Sequence, residues 1–143
     1  MARTVRGEFE VRLRPRGPSD ATGGVLLGRM SISKRFHGPL DASSAGQMLM
    51  ATTPVDGSAG YVAIERVTGT LAGRRGSFVL QHSGVLTRGS AELSVRVVPD
   101  SATGALTGLS GTMTIQIVEG KHTYGFEYSL PRSGPAGGSN RRR

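Results

Sequence analysis

"YVAIERVTGTLAGRRGSFVLQHSG", residues 61 to 84, decides how the chain is read. Val, Ile, Thr and Phe alternate with polar residues on both sides of "LAGRRGS", which reads as two strands around a tight turn rather than as a helix. Glu65, Arg66 and His82 interrupt the apolar pattern. With the turn centred between Arg74 and Arg75, Leu71 faces Phe78, Gly69 faces Leu80 and Val67 faces His82. Opposed residues of an antiparallel pair share a face. This register therefore gathers Glu65, Val67, Leu71, Phe78, Leu80 and His82 on one face, and Arg66, Thr68, Thr70, Gln81 and Ser83 on the other. The first face is the more apolar near the turn and is expected to be the interior, with Glu65 a diagonal neighbour of His82.

A carboxylate beside an imidazole under partial burial can hold a proton near neutral pH, so Glu65 and His82 are the candidate catalytic pair. The competing reading is an internal ion pair kept because either group alone would be costly to bury. Arg66 points to the opposite face and reads as a solvated arginine.

Working outward, "GEFEVRL" (7–13) alternates as a half-buried strand, and "RPRGPSDATGG" reads as a loop from its Pro and Gly. "GRMSISKRF" places Met30, Ile32, Lys34 and Phe36 on one face of a further strand. Within "LDASSAGQMLMATTP" a strand is expected over 46–53. "AELSVRVV", "GLSGTMTIQIV" and "TYGFEYSL" complete a set of about eight strands, with "PDSATG" and "EGKH" as turns. Short connections favour sequential antiparallel pairing, and closure would remove the exposed edges of such a meander. The expected fold is all-β, a single eight-stranded antiparallel up-and-down β-barrel spanning residues 1–131, followed by a disordered basic tail over 132–143.

Composition narrows the function classes. The 143 residues include 22 Gly and no Cys, which excludes disulfides, thiolate metal sites and a thiol nucleophile. The net charge of +8 invites a nucleic-acid reading, but nine of the basic residues lie in 1–16 and 132–143. Setting those aside, with Glu8 and Glu10, leaves nine basic against eight acidic residues, so no specific nucleic-acid partner is expected. The N-terminus lacks a signal-peptide core and no apolar run reaches about 18 residues, so a cytoplasmic protein without a membrane partner is expected. His37, His82 and His122 have no metal-site spacing, Gly104, Gly108 and Gly111 lack the Lys of a phosphate loop, and Ser77 and Ser83 face away from His82. Neither a metal nor another cofactor is called for.

Four elements, "SKRFHGPLDASS", "GYVAIERVTGTLAGRRGSFVLQHSG", "VVPDSATGALTGLSG" and "HTYGFEYSL", resemble a bacterial family known as domain of unknown function 3224. Together they cover most of residues 28–130. The resemblance implies a small barrel similar to those of allene oxide cyclases and dirigent proteins, a wider group whose barrels bind a hydrophobic molecule inside and some of which direct a cyclisation by shape. It implies no reaction, because the family has none established.

Two functions follow as expectations. In the first, the lumen holds a small, largely apolar molecule against Tyr61, Val67, Leu71, Phe78, Leu80 and Tyr124, with Met48 or Met50 nearby. Glu65 and His82 then serve as polar contacts or proton handlers, and any chemistry is a cofactor-free isomerisation or cyclisation. In the second, the interior is filled by side chains and the protein is a non-enzymatic interaction module, with a homo-dimer or higher homo-oligomer as one form.

Overall fold

A computed structural model describes residues 2–131; the tail expected over 132–143 lies outside the described residues. The strands are β1 (Ala2–Thr22), β2 (Val25–Phe36), β3 (Leu40–Thr52), β4 (Ala59–Leu71), β5 (Arg74–Thr87), β6 (Ser90–Val97), β7 (Thr103–Gly104), β8 (Ser110–Val118) and β9 (Lys121–Ser129). They form one antiparallel sheet in the order β4-β3-β2-β1-β9-β8-β6-β5-β7, and β4 also pairs with β5 along their hairpin. Among the described residues, no helix is long and apolar enough to cross a membrane.

This arrangement corrects the expected eight-stranded up-and-down β-barrel, and the allene oxide cyclase-like description falls with it. The described residues form nine strands, and the chain does not pass from β6 to its next neighbour by a hairpin. Between them it forms the two-residue β7, which pairs with β5 at Gly76 and Ser77. When β8 returns, a single residue pair, Arg96 with Thr112, joins it to β6, so the wall is not an even ladder around a circumference. The physical reason lies in "PDSATGALTGLSG": it carries turn signals, yet it sends Leu106 and Leu109 into the core, at 1% and 2% exposure. Burying two leucines outweighs the ladder bonds a tight hairpin would have made there.

Several strands are longer than expected, β1 and β3 among them. β1 runs through the Pro/Gly segment to Thr22 because an irregularity between Arg16 and Asp20, with Gly17 at φ 71°, absorbs the misfit without ending the pairing to β2. β3 starts at Leu40 rather than 46, since Leu40, Ala42 and Ser44 already alternate inward.

The opening hairpin has its turn at Ala72 and Gly73, both at positive φ (49° and 83°), the conformation of a two-residue primed turn. Leu71 therefore pairs with Arg74, Val67 with Phe78 and Ala63 with His82, which corrects the turn between Arg74 and Arg75 and the pairing of Val67 with His82. Each residue of β4 is displaced by four positions along β5. Four is an even number, so every side chain keeps its face.

Inward residues form a gradient of burial along the strands. At one end Phe36, Leu40, Leu71, Phe78, Leu106, Leu109 and Phe126 are all at or below 2% exposure, with the Phe78 and Phe126 rings stacked at 5.8 Å. Tyr124 is locked into this end, its hydroxyl donating to His37 O at 2.8 Å and accepting from Leu40 N at 3.1 Å. Toward the other end Met30, Met48, Met50, Tyr61, Leu86 and Ile115 are only half-buried. Leu13, Leu93 and Ile117, on the same inward face, reach 44%, 46% and 66% exposure.

Candidate functional site

Below the open end, three charged or titratable side chains from three strands meet. Lys34 on β2, Glu65 on β4 and His82 on β5 are 6%, 0% and 2% exposed. Glu65 Oε2 lies 3.0 Å from Lys34 Nζ and 2.8 Å from His82 Nε2, and the two nitrogens are 3.5 Å apart. Lys34 also stands over the rings of Phe9 and Phe36, 5.2 and 5.8 Å from their centroids, which gives the buried ammonium cation–π contacts in place of water.

The sheet register explains why these groups can meet. Gly46 of β3 lies directly opposite Glu65, where a Cβ would come within 2.0 Å of Ile64 O and 2.6 Å of Glu65 Cα. Its missing side chain lets β3 and β4 close on each other at the carboxylate. Ser44, next inward on β3, pairs with Lys34 on one side and Val67 on the other. His82 is the diagonal neighbour of Glu65, whose direct partner is Leu80.

The polar inventory is incomplete within the protein. Among the described residues, Glu65 Oε1 and Ser44 Oγ are buried with no hydrogen-bond partner. Oε2 lies at ion-pair distance from both nitrogens, where hydrogen bonding and charge together favour the ionised carboxylate. Leaving such acceptors unsatisfied costs about 1–3 kcal/mol each, more when the group is charged.

Electrostatics keep the carboxylate ionised. Burial alone pushes Glu65 up, but the His82 contact and the Lys34 charge together outweigh it and hold Glu65 at about 2. Burial pushes Lys34 below its ordinary value, more strongly than the Glu65 charge raises it. Both values fall, which favours the ion at Glu65 and opposes it at Lys34, because the carboxylate has two nitrogens on it, whereas the ammonium has one anion and two phenyl rings. Tyr61 is pushed up by burial first and the Glu65 charge second, so its hydroxyl senses this carboxylate from the open end.

Glu65 and His82 are thus brought together, with Tyr61 toward the open end of the same face. Val67, Leu71, Phe78, Leu80 and Tyr124 instead sit deeper, at 2% exposure or less. Arg66 is exposed on the outer face. Lys34 is the member that sequence reasoning left out, although its position between Ile32 and Phe36 on an inward face was a signal: a lysine there needs an anion.

A concavity of about 530 Å³ lies against the sheet; it reaches the backbone positions of Ala63 and His82 and is lined mainly by Arg29, Gln47, Leu49, Val62, Ile64 and Gln81. These are outward residues of β2 to β5, and Leu49, Val62 and Ile64 are each more than half exposed.

No curated protein matches this chain. The profile of the family described as "Protein of unknown function (DUF3224)" matches residues 5–128. A crystal structure of a protein of unknown function from the same family, from Shewanella oneidensis MR-1, is similar with a TM-score of 0.88 and 51% identity. That match covers 92% of this chain and 99% of the other. The chain belongs to the DUF3224 family.

Proposed function

We propose that residues 1–131 act as a single domain that binds a small, largely apolar molecule at the open end of the sheet, above Lys34, Glu65 and His82. The observation that carries this reading is the burial gradient: an inward apolar face whose outer part the described residues leave uncovered, ending on a carboxylate with an unpartnered oxygen. Ligand sites are typically apolar concavities with a few convergent polar groups, and Met30, Met48 and Met50 supply adaptable apolar surface. The chemistry available to the Glu65–His82 pair is proton transfer within the bound molecule, the basis of cofactor-free isomerisation or cyclisation.

The test is titration with an environment-sensitive apolar dye, 1-anilinonaphthalene-8-sulfonate. We expect saturable 1:1 binding that weakens at least tenfold in Met48→Lys while the unfolding midpoint stays within a few degrees of the parent. Non-saturable dye binding unaffected by Met48→Lys would overturn the proposal. The outer groove around Leu49, Val62 and Ile64 favours a second reading, an interaction module or homo-oligomer, because contiguous exposed apolar surface on a folded chain marks contact sites. Dye binding lost in Val62→Lys but not in Met48→Lys would support that reading instead.

A further inference from the structure

The polar floor of the open end carries information about the kind of molecule it accepts. Glu65 is fully buried; Oε2 is the oxygen nearest Lys34 Nζ and His82 Nε2, and Oε1 is buried with no hydrogen-bond partner. A carboxylate oxygen is an acceptor only, so what completes it must be a hydrogen-bond donor. Ser44 Oγ, also buried and unpartnered, belongs to the β3 residue that pairs with Lys34 and is diagonal to Glu65 in the register, and a hydroxyl can donate or accept. Along the inward face of β4, the small Ala63 alone separates Glu65 from half-buried Tyr61, so the approach from the open end passes over a short side chain.

Charge argues in the same direction. Within the cluster one carboxylate is already matched by one ammonium at 3.0 Å. A guest bearing its own carboxylate would set a second negative charge beside Glu65 in a site shielded from water, where like charges are costly. A neutral guest brings no such cost and supplies the missing donor. We propose that the open end selects an apolar molecule carrying a neutral hydroxyl, an alcohol, phenol or enol, whose O–H donates to Glu65 Oε1, over the corresponding carboxylate. This inference rests on the binding site assigned above and adds the polar group of the ligand.

The experiment compares 1-decanol with decanoate at pH 7.5, both below their aggregation limits, by displacement of 1-anilinonaphthalene-8-sulfonate and by chemical-shift perturbation of the methionine methyls. The expected result is at least tenfold tighter binding of the alcohol, with shifts at Met30, Met48 or Met50. In Glu65→Gln, whose amide no longer repels an anion, the preference should fall below about threefold. Should that variant not fold, Glu65→Leu combined with Lys34→Met, which removes the acceptor and its buried counter-charge together, provides the second arm, and the alcohol preference should fall there as well. Equal binding of the two ligands, or tighter decanoate, would overturn the hydroxyl assignment while leaving the site intact. Failure of both to bind the parent protein would overturn the site itself.

Discussion

The two ends of the sheet use the same alternation for opposite purposes. At one end every inward position is covered: Phe36, Leu40, Leu71, Phe78 and Phe126 interlock, and the segment after β6 folds in to add Leu106 and Leu109. At the other end the same strands continue, yet none of the described residues folds over Leu13, Leu93 or Ile117. The difference lies in the connections. The long excursion between β6 and β8 serves the first end, whereas tight turns at Gly23–Gly24 and Glu119–Gly120 serve the second and contribute no side chain to the interior. A connection that carries leucines makes a core, and one that carries only turn residues leaves a mouth.

The comparison predicts unequal responses to mutation. The largest effects belong to the closed end and to the charges beneath the mouth. Phe78→Ala should lose about 3–5 kcal/mol in denaturant unfolding, as expected for a buried aromatic ring. Glu65→Leu should lose a similar amount, about 3–5 kcal/mol, because Lys34 is left buried without its anion. Adding Lys34→Met to it should recover more than half of the loss, a coupling absent if the two groups merely lie near each other.

Acid unfolding sharpens the charge argument. Glu65 sits at about 2 against an ordinary 4.5, so its contribution is complete above about pH 4.5 and is lost as pH falls through 2. Stability measured from pH 6 to pH 2 should decline in the parent and be markedly flatter in a folded Glu65→Gln protein; identical slopes would contradict the assignment. Glycines provide an intermediate test. Gly46→Ala drives a methyl into the backbone of β4 and should cost about 1–3 kcal/mol or more by overpacking. In Gly84→Ala the new methyl meets the Tyr61 ring and the end of Leu93, side chains at the open end that can swing away, so the cost should be the smaller of the two.

The smallest effect is expected at the mouth itself. Ile117→Ala, at 66% exposure, should change stability by no more than about 0.5 kcal/mol. A loss of 2 kcal/mol or more there would mean that this end is covered in solution, and the contrast between the two ends would fail.

Much of the site was legible before any coordinates. The alternation around residues 61–84 put Glu65 and His82 on the inner face together, and they are 2.8 Å apart. The register behind that reading was displaced by four residues, yet the diagonal relation survived: His82 lies two residues to one side of the true partner of Glu65, Leu80, instead of two to the other side of Gly84. Lys34 was visible as an inward lysine, but linking β2 to β4 requires knowing how β3 pairs with both, and no local pattern specifies that.

By itself, the sequence determined the all-β character, the family and the face on which each side chain of the central hairpin lies, because side-chain alternation is a property of the local backbone. Tertiary structure alone decided the nine-stranded order, the single-pair seam between β6 and β8, the filling of one end by Leu106 and Leu109, and the arrival of Lys34 at Glu65. Those depend on contacts between residues far apart in the chain, where burial of apolar surface and pairing of charge outweigh what any short stretch prefers.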